Sequence, residues 1–148
     1  RINLSPKGMD SLRIVDENRI LWLNVTGSGN ETAAHLLENN RITIMMCSFE
    51  GAPNILRIYG KGRAIHPKDP EWNQVIHLFP ETPGTRQIFD ISVESAQTSC
   101  GMSIPYFEYK GEREQLNDWA TEKGEEGIQQ YWKDRNLTSI DGKPTGLD

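Results

Sequence analysis

The segment Thr26-Gly-Ser-Gly-Asn-Glu-Thr32 combines residue types and spacing that could do chemistry. It stands ahead of a run with helical periodicity. The first N–H groups of a helix have no intrahelical partner, and with the helix dipole they attract anions. Gly27 and Gly29 permit close approach of backbone to a ligand, while Thr26, Ser28, Asn30 and Thr32 add hydroxyl and amide groups. A competing reading takes Ser28 and Glu31 as a capping box, which spends both side chains on the helix itself; a Glu31 carboxylate turned toward a phosphate would also repel it. A second candidate is the alternating set Arg57, Tyr59, Lys61 and Arg63. On a strand these share one face, and arginine can hold an anion through two parallel hydrogen bonds. A solvated strand face is the equally weighted alternative.

Other chemistries find little support. His35, His66 and His77 lack metal-ligand spacing, and Cys47 and Cys100 belong to no CxxC or Cys/His pattern, so no metal site or disulfide framework is expected. Walker, GxGxxG, HExxH and GxSxG motifs are absent, which disfavours a nucleophilic hydrolase. Catalytic residues are not identifiable. Asn-x-Ser/Thr patterns begin at Asn3, Asn24, Asn30 and Asn136 and matter only in a secreted chain.

The elements that must position these residues are strands first and helices last. Ser11–Val15 and Arg19–Val25 read as a hairpin whose turn, Asp16-Glu17-Asn18, bonds its own backbone. Glu31–Asn39 reads as a helix with Ala33, Leu36 and Leu37 on one face. Ile42–Phe49, apolar on both faces, reads as a strand buried between layers. After Gly51-Ala-Pro53 comes a long strand, Ile55–Ile65, with Leu56, Ile58, Gly60, Gly62 and Ala64 opposite the cationic set. Asp69–Phe79 suggests a helix, Ile88–Glu94 a half-buried strand, and Met102–Tyr109 an edge or bulged strand because of Pro105. From Glu112 two amphipathic helices are expected, split by Gly124 and Gly127, and residues 136–148 read as a polar loop. The organisation predicted is a single domain, 1–148: barrel 1–110, packing helices 111–135, tail 136–148.

Composition sets the outer bounds. A chain of 148 residues, 36% hydrophobic and 25% charged, can bury a core without staples. No apolar run approaches the roughly 20 residues that span a bilayer. With 21 acids against 16 bases and a pI near 5.2, broad nucleic-acid binding is disfavoured. No membrane or nucleic-acid partner is expected, and the location is read as cytoplasmic. The chain opens on Arg1 rather than Met and so says nothing about a targeting segment ahead of it.

Several stretches carry a family likeness. Arg1-Ile-Asn-Leu-Ser-Pro-Lys-Gly8, Thr26-Gly-Ser-Gly-Asn-Glu-Thr-Ala-Ala-His-Leu36, Glu38-Asn-Asn-Arg-Ile-Thr-Ile44 and Ile55-Leu-Arg-Ile-Tyr-Gly60 resemble the pyridoxamine 5′-phosphate oxidase-like family of FMN-binding split barrels. Ser99-Cys-Gly101 and Asp141-Gly-Lys-Pro-Thr145 look like a branch other than the oxidase itself. The resemblance implies a mainly β, α+β split β-barrel with flanking C-terminal helices, a leading helix and strand ahead of Arg1, and a homodimer with FMN at the subunit interface. It implies that Lys7 and Arg57 neutralise the phosphate. Thr26 occupies a hydroxyl slot, and Ser5 and Asn30 would bond phosphate or ribityl oxygens. Ser28 and Thr32 belong to the same helix start. Trp22 could lie near the flavin ring, although its strand position suits a core role better.

There are two departures. Glu31-Thr32 stands where the oxidase has Arg-Lys, and the Arg-x-His element that grips pyridoxamine phosphate has no counterpart, so these point away from that particular oxidation. The implied function is FMN-dependent redox chemistry on an unidentified small molecule. The alternative is a non-catalytic ligand-binding or scaffolding barrel. Haem or deazaflavin binding is not separated from FMN by the sequence.

Overall fold

The computed structural model describes residues 2–148, and Arg1, with which the first family-like stretch begins, lies outside the described residues. The strands are β1 (Leu12–Asp16), β2 (Arg19–Val25), β3 (Arg41–Cys47), β4 (Asn54–Ile65) and β5 (Thr85–Cys100). The helices are α1 (Glu31–Glu38), the single turn α2 (Trp72–Val75) with a 3₁₀ turn at Ile76–Leu78, and α3 (Gln115–Arg135). All strand pairs are antiparallel, in the order β1-β2-β5-β4-β3. This α+β arrangement is consistent with a split barrel.

Local chemistry explains much of the layout. The β1–β2 turn closes through the Asp16 carboxylate, which accepts the Asn18 N–H at 2.8 Å, as expected of Asp at a turn. Strand β4 divides by period two: Ile58, Gly60 and Gly62 are buried, whereas Lys61 and Arg63 are exposed. One face of the sheet packs Ile20, Ile58, Phe89 and Ile91 against Ala33 and Leu36 of α1. The other packs Leu21, Leu23, Ile65 and Ile88 against Val75 and Phe79.

Several expectations are corrected. β3 is not buried between layers: it is the outer strand with only β4 beside it, and Met45 and Met46 are exposed. Leu37 turns outward, and Ala34 takes its place in the buried face of α1. β5 runs well past Glu94, because its polar half, Ser95–Cys100, pairs with the start of β4 although it carries no apolar alternation. Met102–Tyr109 forms no strand; it is irregular and held by single bonds such as Phe107 N–H to the Phe49 carbonyl at 3.2 Å. The expected helix over 69–79 shrinks to α2 and the 3₁₀ turn. The C-terminal pair of helices does break at Gly124, in the left-handed region at φ 66°, but Gly127 stays helical.

The tail is more ordered than a polar loop. It folds back through a Thr138–Pro144 bridge, and buried Thr145 donates its hydroxyl to the Asn136 carbonyl at 2.7 Å.

His66, 7% exposed, sits where this tail meets the sheet, and its Nδ1 is buried without a partner. Burial, with smaller contributions from Lys68 and Arg86 and opposed by Asp69 and Asp148, holds its pKa below the ordinary imidazole value. The unfolded chain then binds the proton more readily, so stability falls as pH drops through about 6.5 and levels off only below the native pKa of His66. His66→Gln is expected to flatten this part of the profile; urea midpoints at about pH 7.5 and pH 5.5 check it, and an unchanged slope would refute the assignment.

Candidate functional site

The amino-terminal segment reaches the sheet along the start of α1. Asn3 Nδ2 donates to Thr32 Oγ1 at 3.1 Å, and farther on the Met9 N–H bonds Glu112 at 3.1 Å. Between these anchors Ser5 is exposed. Lys7 is exposed as a whole, yet its ammonium lies 5.4 Å from the centroid of the Trp22 ring, a cation–π arrangement. Burial of that ammonium, followed by the positive charge of Arg86, lowers its pKa. Trp22 is stacked on Phe89 with centroids 4.7 Å apart, and its indole Nε1 is buried without a partner.

The turn from Thr26 to Thr32 enters α1 without the expected capping box. Asn30 is the N-cap residue, and no side chain bonds the helix end. The Glu31 carboxylate instead accepts the Ile140 N–H from the tail at 2.9 Å and lies 3.9 Å from His35 Nε2. A backbone donor in the tail has therefore taken Glu31 away from Ser28. Thr26, 1% exposed, donates to the Gly84 carbonyl and accepts the Trp132 indole N–H, both at 2.7 Å. Asn30 exchanges two hydrogen bonds with Gln87 on β5, at 2.6 and 3.3 Å. Ser28 lines an open groove of about 610 Å³ between α1 and the tail, with Glu31, His35, Arg135 and Ser139.

Arg57 lies elsewhere. It pairs with Met45 and Gln97 across the ladder and donates to the Ser99 hydroxyl at 2.9 Å. Gln97 is ten β5 positions from Gln87, the partner of Asn30, so within one chain Arg57 and the turn lie toward opposite ends of β5. The expected residues thus form two groups: Lys7 and Ser5 with the 26–32 turn at one end of the sheet, and Arg57 at the other. The rest of the cationic stripe is ion-paired, Lys61 with Glu94 at 3.0 Å and Arg63 with Glu71 and Asp90 at 3.3 and 3.2 Å. Such exposed pairs contribute little stability and leave no free charge for a ligand. At Lys61 and Arg63 the solvated-face reading holds.

Beside Arg57 stand Met45 on β3 and the polar Gln97 and Ser99 on β5. Met45, Met46, Phe49 and Phe107 are all exposed, with Phe49 and Phe107 edge to face at 5.2 Å.

Sequence reasoning missed Arg86, Gln87, Trp132 and Asn136, which back the turn from behind. Arg86 is 2% exposed and donates from Nη1 to Asn136 Oδ1 at 2.5 Å, while Asn136 Nδ2 donates to the Gly27 carbonyl at 3.1 Å. The available signal was an Arg-Gln pair directly ahead of the apolar run that starts at Ile88. Asn24, Asn30 and Asn136 are buried, which keeps these three glycosylation patterns from acting in the folded chain. Among the described residues no cluster of three or more His, Cys, Asp or Glu is placed to hold a metal, and no helix is long and apolar enough to cross a membrane.

The sheet and its helices define an α+β protein whose arrangement is consistent with a split barrel. No protein-family model matches the chain. The pyridoxamine 5′-phosphate oxidase family protein ustO of Aspergillus flavus is 28% identical over 162 residues, covering 97% of this chain. This chain spans 64% of that protein's length. The chain is thus similar, over nearly its whole length, to a protein of the pyridoxamine 5′-phosphate oxidase family, and its sheet is consistent with that likeness.

Proposed function

We propose that the protein binds FMN and supports flavin-dependent oxidoreduction of a small molecule, as a cytoplasmic homodimer. The observation that carries this reading is the corner where Lys7 lies over Trp22 beside the 26–32 turn, in a chain with this family likeness. The corner is rich in donors: the Lys7 ammonium, the unpartnered Trp22 indole N–H and the exposed Ser5 suit an anionic, oxygen-rich ligand. FMN, when bound, would supply the hydride chemistry; the chain would bind, orient and shield it.

Arg57 fits this reading through a second copy. It stands beside exposed Met45, at an end of the sheet where Met46, Phe49 and Phe107 are also exposed and suited to burial against another subunit. Its guanidinium has a hydroxyl partner and no carboxylate among the described residues, leaving charge available to an anion.

FMN titration of the full chain, followed by visible absorption with riboflavin as control, tests the reading. Arg57→Ala is expected to weaken FMN roughly tenfold to a hundredfold, the worth of a charge-assisted hydrogen bond, and Lys61→Ala hardly at all. Sedimentation should show a dimer at micromolar concentration. No flavin binding, or equal small effects of both substitutions, would favour a second reading, a non-catalytic ligand-binding or scaffolding barrel. That reading draws on Thr26, Asn30 and Glu31, whose side chains already serve interior or tail partners.

A further inference from the structure

The tail after α3 is held to the body by polar contacts. Its buried residues are Asn136, Ser139 and Thr145, with no apolar side chain among them. The Ile140 N–H bonds Glu31, Lys143 pairs with Glu38 at 3.0 Å, and the Asp148 carbonyl accepts from Lys68. Lys143 and Glu38 are both about half exposed, so their pair contributes little. A segment with so little apolar burial belongs to the part of a fold that opens first. Its fixed root is Asn136, which is buried and bonded to Arg86 and to the Gly27 carbonyl.

Under the tail lies a buried titratable ring. His66 directly follows β4, and a Cβ on Gly146 would stand 3.6 Å from His66 Nε2 and 3.6 Å from Leu37 Cδ1, so the tail backbone lies against both the ring and α1. The Nδ1 of the ring is enclosed without a partner. Protonation makes both ring nitrogens donors, and the Nδ1–H would then have no acceptor. Four charged groups bear on the ring: Lys68 and Asp69 from the turn after β4, Arg86 on β5, and Asp148 at the end of the tail. Asp69 spends a carboxylate oxygen on the His66 backbone N–H at 2.8 Å, and Lys68 and Arg86 oppose a further positive charge. Burial outweighs Asp69 and Asp148, the two groups that favour the proton.

We propose that residues 137–148 form a strap along the side of α1 that lifts on acidification, with His66 as the group that senses the proton. While the tail is seated the ring is enclosed and neutral; once it lifts, water can solvate the imidazolium, so protonation favours the lifted state. Lifting withdraws Ser139 and Ile140 from the groove they share with Ser28 and His35, and it frees the Glu31 carboxylate. Access to that groove therefore rises as pH falls.

Amide hydrogen exchange of the full chain at pH 7.5 and 5.5, corrected for the intrinsic pH dependence of exchange, tests the strap. Thr145, whose N–H bonds the Leu137 carbonyl at 3.0 Å, and Ile140 report on the tail, while Ile91 on the central strand reports on global unfolding. Both tail amides should be far less protected than Ile91. Their protection should fall by up to about tenfold at the lower pH, the limit set by an ordinary imidazole pKa near 6.5 in the lifted state. In His66→Gln that fall should vanish. Thr145 protected as strongly as Ile91 overturns the strap, because the tail would then open only with the whole fold. Tail protection that ignores pH in the unmodified chain overturns the sensor, whether or not His66→Gln folds. A fall that persists in folded His66→Gln also overturns it and assigns the proton to another group.

Discussion

Phe89→Ala is expected to lower folding stability by about 3–5 kcal/mol, the usual cost of emptying a fully buried aromatic site. Phe89 has no exposed surface and belongs to the cluster with Ile20, Ile58 and Ile91 under α1. It also backs the ring of Trp22, on which Lys7 lies. The loss should therefore reach the candidate site: Trp22 gains room to tilt, and any anion affinity that depends on Lys7 should fall beyond what lost stability explains. Urea unfolding followed by tryptophan fluorescence measures the first effect. Ligand titration well below the unfolding transition measures the second. A loss of less than about 1 kcal/mol would contradict the placement of Phe89 at the centre of the sheet.

Gly60→Ala should cost about 3 kcal/mol, at the upper end for an overpacked site. The register between β4 and β5 shifts between Tyr59 and Gly60. There a Cβ on residue 60 would stand 2.2 Å from the backbone carbonyl oxygen of Ser92. Backbone cannot yield as a side-chain tip does, so the strands would have to part at the irregularity. Gly62→Ala is the internal comparison: its Cβ would meet the ends of Ile42 and Leu36 side chains at 3.3 Å, which can shift. Thermal unfolding of both variants should show Gly60→Ala as clearly the more damaging. Equal effects would mean that the strand pairing tolerates a side chain at the shift.

What could be read from the sequence was mostly local. The Asp16–Asn18 turn, the two faces of β4 and the break at Gly124 each depend on residues a few positions apart, and all are found. Features settled by distant partners were not legible. Ser28 and Glu31 have capping-box spacing, but the Ile140 N–H, 109 residues from Glu31, competes for the carboxylate. Arg86 looks like a surface residue until Asn136 is known to face it. The outer half of β5 is polar on both sides, so periodicity could not reveal a strand made only by its ladder with β4. The grouping of Lys7 with the turn, and the separation of Arg57 from both, likewise arise from how strands run past one another.

The central position of β5 carries a further consequence, for the order in which the chain is made. β5 is last of the strands in sequence but stands between β2 and β4 in the sheet. During synthesis the β1–β2 and β3–β4 hairpins therefore emerge first, each with an edge that has nothing to pair with. They must wait for residues 85–100 before one sheet can close. Non-local pairing of this kind slows folding and exposes strand edges to other nascent chains. The ladders that join the two hairpins both run through β5, so the inner edges of β2 and β4 stay open until β5 docks, and only β1 and β3 are left as outer strands afterwards.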